Sequence, residues 1–224
     1  MSLSLLPRLT YAPLRAFRNV LAATFLLISP LHAETTVLAL GDSLTAGYGL
    51  PQDQGFVPQL QAWLADKGQA VKIVNAGVSG DTTAGGLSRT DWSLTPDVDA
   101  VIVNLGGNDM LRGIDPSTSR ANLDAILAKV KAKGLPVLLV SLRAPGNYGA
   151  DFKSNFDAMY PDLAAEYGAV LADNYFFPVI NQSTRLLDPA YMQADGIHPN
   201  AKGVAKILDA LGPKVQELLA KLPS

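Results

Sequence analysis

Apolar runs and polar breaks alternate along the chain with a regularity that sorts it into strands and helices. Thr36–Leu40 is short, apolar and β-rich, and reads as a strand. Phe56–Lys67 follows, with Phe56, Leu60, Trp63 and Leu64 at the spacing of one helix face. Val71–Asn75 returns to strand character, and Asp97–Leu105 contains a continuous apolar strand. Ser117–Lys133 predicts a helix that carries Leu123, Ile126, Leu127 and Val130 on one side. Pro136–Ser141 is a fourth strand, Phe152–Tyr167 a helix, and Val170–Leu171 the start of a short fifth strand. Ala201–Lys221 closes the chain as an amphipathic helix with Val204, Ile207, Leu208, Leu211 and Val215 in register. Gly212-Pro213 predicts a kink in it, since proline removes a helix hydrogen bond.

Strands that alternate with helices imply right-handed βαβ units, hence an α/β fold with a parallel sheet covered on both faces. Near-continuous apolar strands suit that double burial. In such sheets a ligand sits beyond the carboxyl ends of the strands, beside the point where strand order reverses. No repeat, low-complexity tract or linker interrupts residues 34–224, which are expected to form a single domain.

The first 33 residues break the pattern. Met1–Asn19 contains Arg8, Arg15 and Arg18 and no acid, Val20–Leu31 is largely apolar, and Leu31-His32-Ala33 precedes Glu34. A basic start, a short apolar stretch and a small terminal residue read as a secretory signal peptide over residues 1–33. The apolar run is 12 residues long, against about 20 for a bilayer span. Removing it takes away three arginines and no acid, so the formal charge moves from −2 to −5. An acidic chain without a Lys/Arg cluster argues against nucleic acid or an anionic membrane surface as a partner. The absence of cysteine excludes disulfides, thiolate metal sites and a cysteine nucleophile. The expectation is a periplasmic or secreted monomer with no stable membrane anchor after cleavage.

Of the two histidines, His32 lies in the expected signal, so the mature chain has one imidazole, His198. A histidine-based zinc site needs several, so no metal is expected.

Polar, glycine-rich segments follow the apolar strands directly: Gly41-Asp42-Ser43-Leu44 after the first, Asn75–Thr82 after the second, Gly106-Gly107-Asn108-Asp109 after the third. In a parallel sheet these share one edge. Far downstream, Asp195-Gly196-Ile197-His198-Pro199 precedes the last helix. A turn brings residues three apart side by side, so the Asp195 carboxylate can bind Nδ1–H of His198 and leave Nε2 facing outward as a base. Ser43 is the candidate nucleophile, a hydroxyl at a strand end beside glycines that permit close approach. Gly80 can offer a bare backbone N–H and Asn108 a side-chain amide, the donors an oxyanion needs, although either also suits a plain turn. Ser79, inside Gly77–Gly80, reads as a turn residue. No G-x-S-x-G occurs, and the serine comes early, with Asp and His only three residues apart near the end. The chemistry is that of a serine triad on a topology other than the α/β-hydrolase one.

Gly41-Asp42-Ser43-Leu44, Gly80, Gly106-x-Asn108-Asp109 and Asp195-x-x-His198 together resemble the four blocks of the GDSL, or SGNH, hydrolases. The resemblance runs from Val37 to the last helix. Its nearest likeness is the periplasmic thioesterase I/arylesterase/lysophospholipase branch, to which Asn75–Thr82, Leu105–Gly113, Asn147-Tyr148-Gly149 and Asp195–Asn200 are similar in wording and order. It implies a flavodoxin-like three-layer α/β/α sandwich with strand order 2-1-3-4-5. It also implies Ser43 as nucleophile, His198 as base, Asp195 as its orienting carboxylate, and an oxyanion hole of the Ser43 and Gly80 N–H groups with the Asn108 side chain. No cofactor is implied, and Asp42 and Asp109 would hold their loops through backbone hydrogen bonds. The expected activity is hydrolysis of ester and thioester bonds in small-molecule or lipid acyl substrates: aryl esters, medium-chain acyl esters, lysophospholipids and acyl thioesters. Met110, Leu111, Ile114 and Tyr148 lie beside the motif loops and are candidates to cradle an acyl chain. Two other readings stay open: a carbohydrate O-acetylesterase, which would need a small, polar acyl pocket, and a periplasmic binding module, which would lack a triad member.

Overall fold

The computed structural model describes residues 34–223; the expected signal peptide lies outside them. Five parallel strands, β1 (Thr35–Gly41), β2 (Val71–Gly77), β3 (Ala100–Asn104), β4 (Val137–Val140) and β5 (Val170–Ala172), form one sheet in the order β2-β1-β3-β4-β5. Among the described residues, seven α-helices are interspersed: α1 (Ser43–Ala46), α2 (Phe56–Asp66), α3 (Thr83–Ser93), α4 (Gly107–Leu111), α5 (Pro116–Ala132), α6 (Ala150–Tyr167) and α7 (Ala201–Leu219).

Strand order decides where the helices go. The step from β1 to β2 runs one way along the sheet and every later step runs the other way. Right-handed crossovers therefore put α2 on one face and α3, α5 and α6 on the opposite one. α7 packs on α2 and closes the first face, while α5 packs on both α3 and α6. The three-layer α/β/α sandwich is the result. Its central strands are buried throughout, Val37–Leu40 and Ala100–Val103 among them, which is why they carry no polar alternation.

Local chemistry sets the helix starts. Asp115 caps α5 by accepting from the Ser117 N–H at 2.8 Å, with Pro116 as the first helical residue. Asn200 caps α7 by accepting from the Gly203 N–H at 3.0 Å. Pro213 does not interrupt α7, which runs on to Leu219. Gly212 lies where a Cβ would come within 2.6 Å of the Trp63 ring, so the glycine there serves close α2–α7 packing. The apolar pattern gives no sign of α3, for a related reason. Its inner face is made of Thr83, Gly86 and Thr90, and Gly86 lies so close to the Leu105 side chain that no Cβ fits. A helix packed through small and hydroxyl residues leaves no hydrophobic stripe.

Candidate active site

The order reversal falls between β1 and β3, and the loops that leave these two strands form the site. At the end of β1, Asp42 caps α1, its Oδ1 accepting from the Leu44 N–H at 2.9 Å. This makes Ser43 the first residue of a four-residue helix. From the other end of the chain, His198 Nε2 stands 2.9 Å from Ser43 Oγ. His198 Nδ1 is 2.6 Å from Asp195 Oδ2. Asp195 Oδ1 accepts from the backbone N–H groups of Ile197 at 2.9 Å and His198 at 3.0 Å. The His198 N–H, the His198 ring and the Ile197 N–H, in that order, hold the Asp195 carboxyl down at about 2. It is therefore ionised throughout the neutral range and faces a ring that can take up a proton.

The imidazole is held from two further sides. The Tyr48 ring tilts against it with centroids 4.7 Å apart. Gln193 Nε2 donates to the carbonyls of Tyr48 at 2.8 Å and Pro199 at 3.0 Å, stapling the serine loop to the histidine loop. Neither Tyr48 nor Gln193 carries a signal in the sequence, because the two loops lie about 145 residues apart and only the fold joins them.

Asn108 sits in the first turn of α4, and its Nδ2 donates to the Asp81 carbonyl at 2.9 Å. The same nitrogen lies 3.5 Å from Asp42 Oδ2, so the amide is held between two loops where it lines the cleft. Gly80 adopts φ +87°, a left-handed conformation that glycine enters without penalty. Asp109 is buried and accepts from the Thr83 N–H at 2.8 Å, the Thr83 hydroxyl at 2.5 Å and the Ser119 hydroxyl at 3.0 Å. It therefore bolts α4 to α3 and α5 rather than bracing its own loop.

Ser43, Gly80, Asn108 and His198 all line one cleft of about 730 Å³. Its apolar wall includes Met110 and Leu111, together with Leu142, Phe176, Ile180, Leu186, Leu187 and Ile197. Ile114 and Tyr148 are not part of that wall. The Ile114 N–H donates to the Asp109 carbonyl at 2.9 Å and closes the turn after α4. Tyr148 stacks on Phe152 at 4.9 Å, at the head of an aromatic row that continues through Phe156 to Tyr160. The segment from Phe176 to Leu187 is irregular, and its apolar density outside any periodic element was the available sign of a binding surface. Among the described residues, the two non-glycine positions with positive φ, Asn174 and Arg185, both lie on this cleft. Ser79 reaches the rim within a turn, while the imidazole is bonded to Ser43.

Asp42 is only 2% exposed. Burial raises its carboxyl from the ordinary 3.8 to about 6, against the opposing pull of the Leu44 N–H and His198. Between these two values the folded chain keeps a proton that the unfolded chain has released, so stability falls as pH rises through that window. The shift corresponds to about 3 kcal/mol. Asp42→Asn removes this titration. Melting temperatures at pH 4 and pH 8 are expected to shift in favour of the variant at the higher pH; an offset from wild type equal at both pH values would contradict it.

Residues 39–206 match the model of the GDSL-like lipase/acylhydrolase family. Esterase TesA of Pseudomonas aeruginosa is 38% identical over 194 residues, covering 86% of this chain and 94% of the relative. Thioesterase 1/protease 1/lysophospholipase L1 of Escherichia coli strain K12 is 38% identical over 207 residues, covering 91% and 95%. A crystal structure of TesA superposes with a TM-score of 0.75 at 37% identity, covering 82% of this chain and 99% of that one. With the family's model matching most of the chain, and relatives alike along nearly their whole length, the chain belongs to the GDSL-like lipase/acylhydrolase family, the SGNH hydrolases.

Proposed function

We propose that the protein hydrolyses carboxylic ester and thioester bonds through an acyl-enzyme formed on Ser43. The observation that carries this reading is the unbroken Asp195–His198–Ser43 relay, with links of 2.6 and 2.9 Å, opening onto an apolar cleft. His198 Nε2 takes the Ser43 proton as Oγ attacks the substrate carbonyl, and Asp195 stabilises the imidazolium that forms. The carbonyl oxygen becomes an oxyanion, held by the backbone N–H groups of Ser43 and Gly80 and by the Asn108 side-chain amide. Collapse of the tetrahedral intermediate breaks the bond to the leaving alcohol or thiol, which receives the proton from His198. Water, deprotonated by the same nitrogen, attacks the acyl-enzyme and releases the acid and Ser43.

The names of the relatives, an esterase and a thioesterase/lysophospholipase, support acyl esters and thioesters as the substrate class. The volume and apolar lining of the cleft favour medium acyl chains over acetyl. Initial rates on p-nitrophenyl esters from acetate to palmitate are expected to peak at medium chain length, with hydrolysis of a lysophospholipid and an acyl thioester alongside. A rate falling steadily from acetate upward, together with activity on acetylated sugars, would support the O-acetylesterase reading instead. Among the described residues no helix is long and apolar enough to cross a membrane. Export through a signal peptide cleaved near Ala33, yielding a single-domain periplasmic or secreted monomer, completes the proposal. Intact mass of the exported protein should place its first residue at or within a few positions of Glu34; an uncleaved chain would refute this part.

A further inference from the structure

The geometry points to Arg89 as a positioning residue for the oxyanion hole, an inference that rests on the proposed roles of Ser43, Gly80 and Asn108. Arg89 lies on α3, the helix that leaves no apolar pattern, and its side chain is 17% exposed. Its guanidinium spreads over three acceptors, each from a different part of the site. Nη2 donates to the Gly41 carbonyl at 2.8 Å, at the end of β1 and two residues before Ser43. Nη1 donates to the Ala76 carbonyl at 2.7 Å, at the end of β2 where the Gly80 loop begins. Nε donates to Asp81 Oδ2 at 2.7 Å. Asp81 directly follows Gly80, and its own carbonyl accepts from Asn108 Nδ2 at 2.9 Å.

One planar cation thus reaches all three donors of the oxyanion hole without touching the cleft. The Gly41 contact fixes the strand end that presents the Ser43 N–H. The Ala76 and Asp81 contacts fix both ends of the turn that presents the Gly80 N–H. Through Asp81 the same cation sets the carbonyl that holds the Asn108 amide in orientation. The pair is tightly packed on the carboxylate side as well, since a Cβ on Gly85 would fall within 2.6 Å of Asp81 Oδ1. Guanidinium offers five donors in a rigid plane, whereas an ammonium ion is a point charge on a flexible stem. Lysine at 89 keeps the charge yet cannot span three acceptors at once. Oxyanion stabilisation depends on donors being in place before charge develops, so a small displacement of all three is felt in kcat.

The test is a double-mutant cycle on p-nitrophenyl octanoate, combining Arg89→Lys with Asn108→Ala, with melting temperatures to confirm folding. Arg89→Lys alone is expected to lower kcat about 10- to 100-fold with KM changed less than about threefold. In that background, Asn108→Ala should cost less than about tenfold, against about 10²–10³ in the wild type, because the amide is already misplaced. Asp81→Asn, which retains the carbonyl bonded to Asn108, should show the same non-additivity and serves if Arg89→Lys does not fold. If Asn108→Ala costs as much in both backgrounds as in the wild type, Arg89 does not position the hole and this inference fails while the proposed mechanism stands. If Asn108→Ala leaves the wild-type rate unchanged, the oxyanion assignment itself fails, and the inference with it.

Discussion

Ser43→Ala and His198→Ala are each expected to lower kcat by about 10⁴–10⁶, and the double variant to be no slower than either alone. Nucleophile and base act as a unit: without the imidazole the hydroxyl keeps its proton, and without the hydroxyl the imidazole has nothing to activate. His198 is the one histidine in residues 34–224, so no neighbouring imidazole can replace it. Asp195→Asn should be milder than loss of the serine, since that carboxylate orients the ring and offsets its charge without exchanging protons with substrate. Because Asp195 is held at about 2, it does not titrate in the working range. No ionisation of that carboxyl should therefore appear in the pH–rate profile across the neutral range. Steady-state kinetics of folded variants checks each outcome, and additive losses in the double variant would contradict the shared mechanism.

Asn108→Ala is expected to cost about 10²–10³ in kcat, the usual loss for a single oxyanion donor, with a small change in KM. The bond from Nδ2 to the Asp81 carbonyl keeps the amide in one orientation, so little of its stabilisation is spent on ordering when charge appears. The fold should survive the substitution, because α4 is anchored by the neighbouring Asp109 through Thr83 and Ser119. Melting temperature and kcat measured on one preparation separate the two effects. A large drop in melting temperature with a proportionate loss of activity would instead make Asn108 a structural residue.

Much of this was readable in the chain because burial leaves a pattern. Val37–Leu40 and Val101–Val103 are covered on both faces and appear as unbroken apolar runs; α5 and α7 show a one-sided stripe because one side of each is buried. The motif loops were legible for another reason: glycine, a short acid, serine and asparagine meet specific backbone and chemical demands where strands end. What leaves no pattern depends on tertiary contact. α3 packs through Thr83, Gly86 and Thr90, so hydrophobic spacing marks neither the helix nor the Arg89 it carries. The cleft wall from Phe176 to Leu187 is irregular and drawn from a segment distant from the motif loops. Tyr148, adjacent to a motif loop in sequence, turns to the aromatic row of α6 instead. Motif spacing marks the side chains that meet at the sheet edge, whereas the cleft wall comes from a segment without a motif.

The central claim is that Ser43, activated by His198, forms the acyl-enzyme. Reaction with a serine-directed organophosphonate, read by intact mass and peptide mapping, tests it most directly. The account predicts one adduct per chain, located on Ser43, with labelling reduced by at least about 10³ in folded His198→Ala. An adduct on Ser79 or another hydroxyl, or labelling of His198→Ala at the wild-type rate, would contradict it.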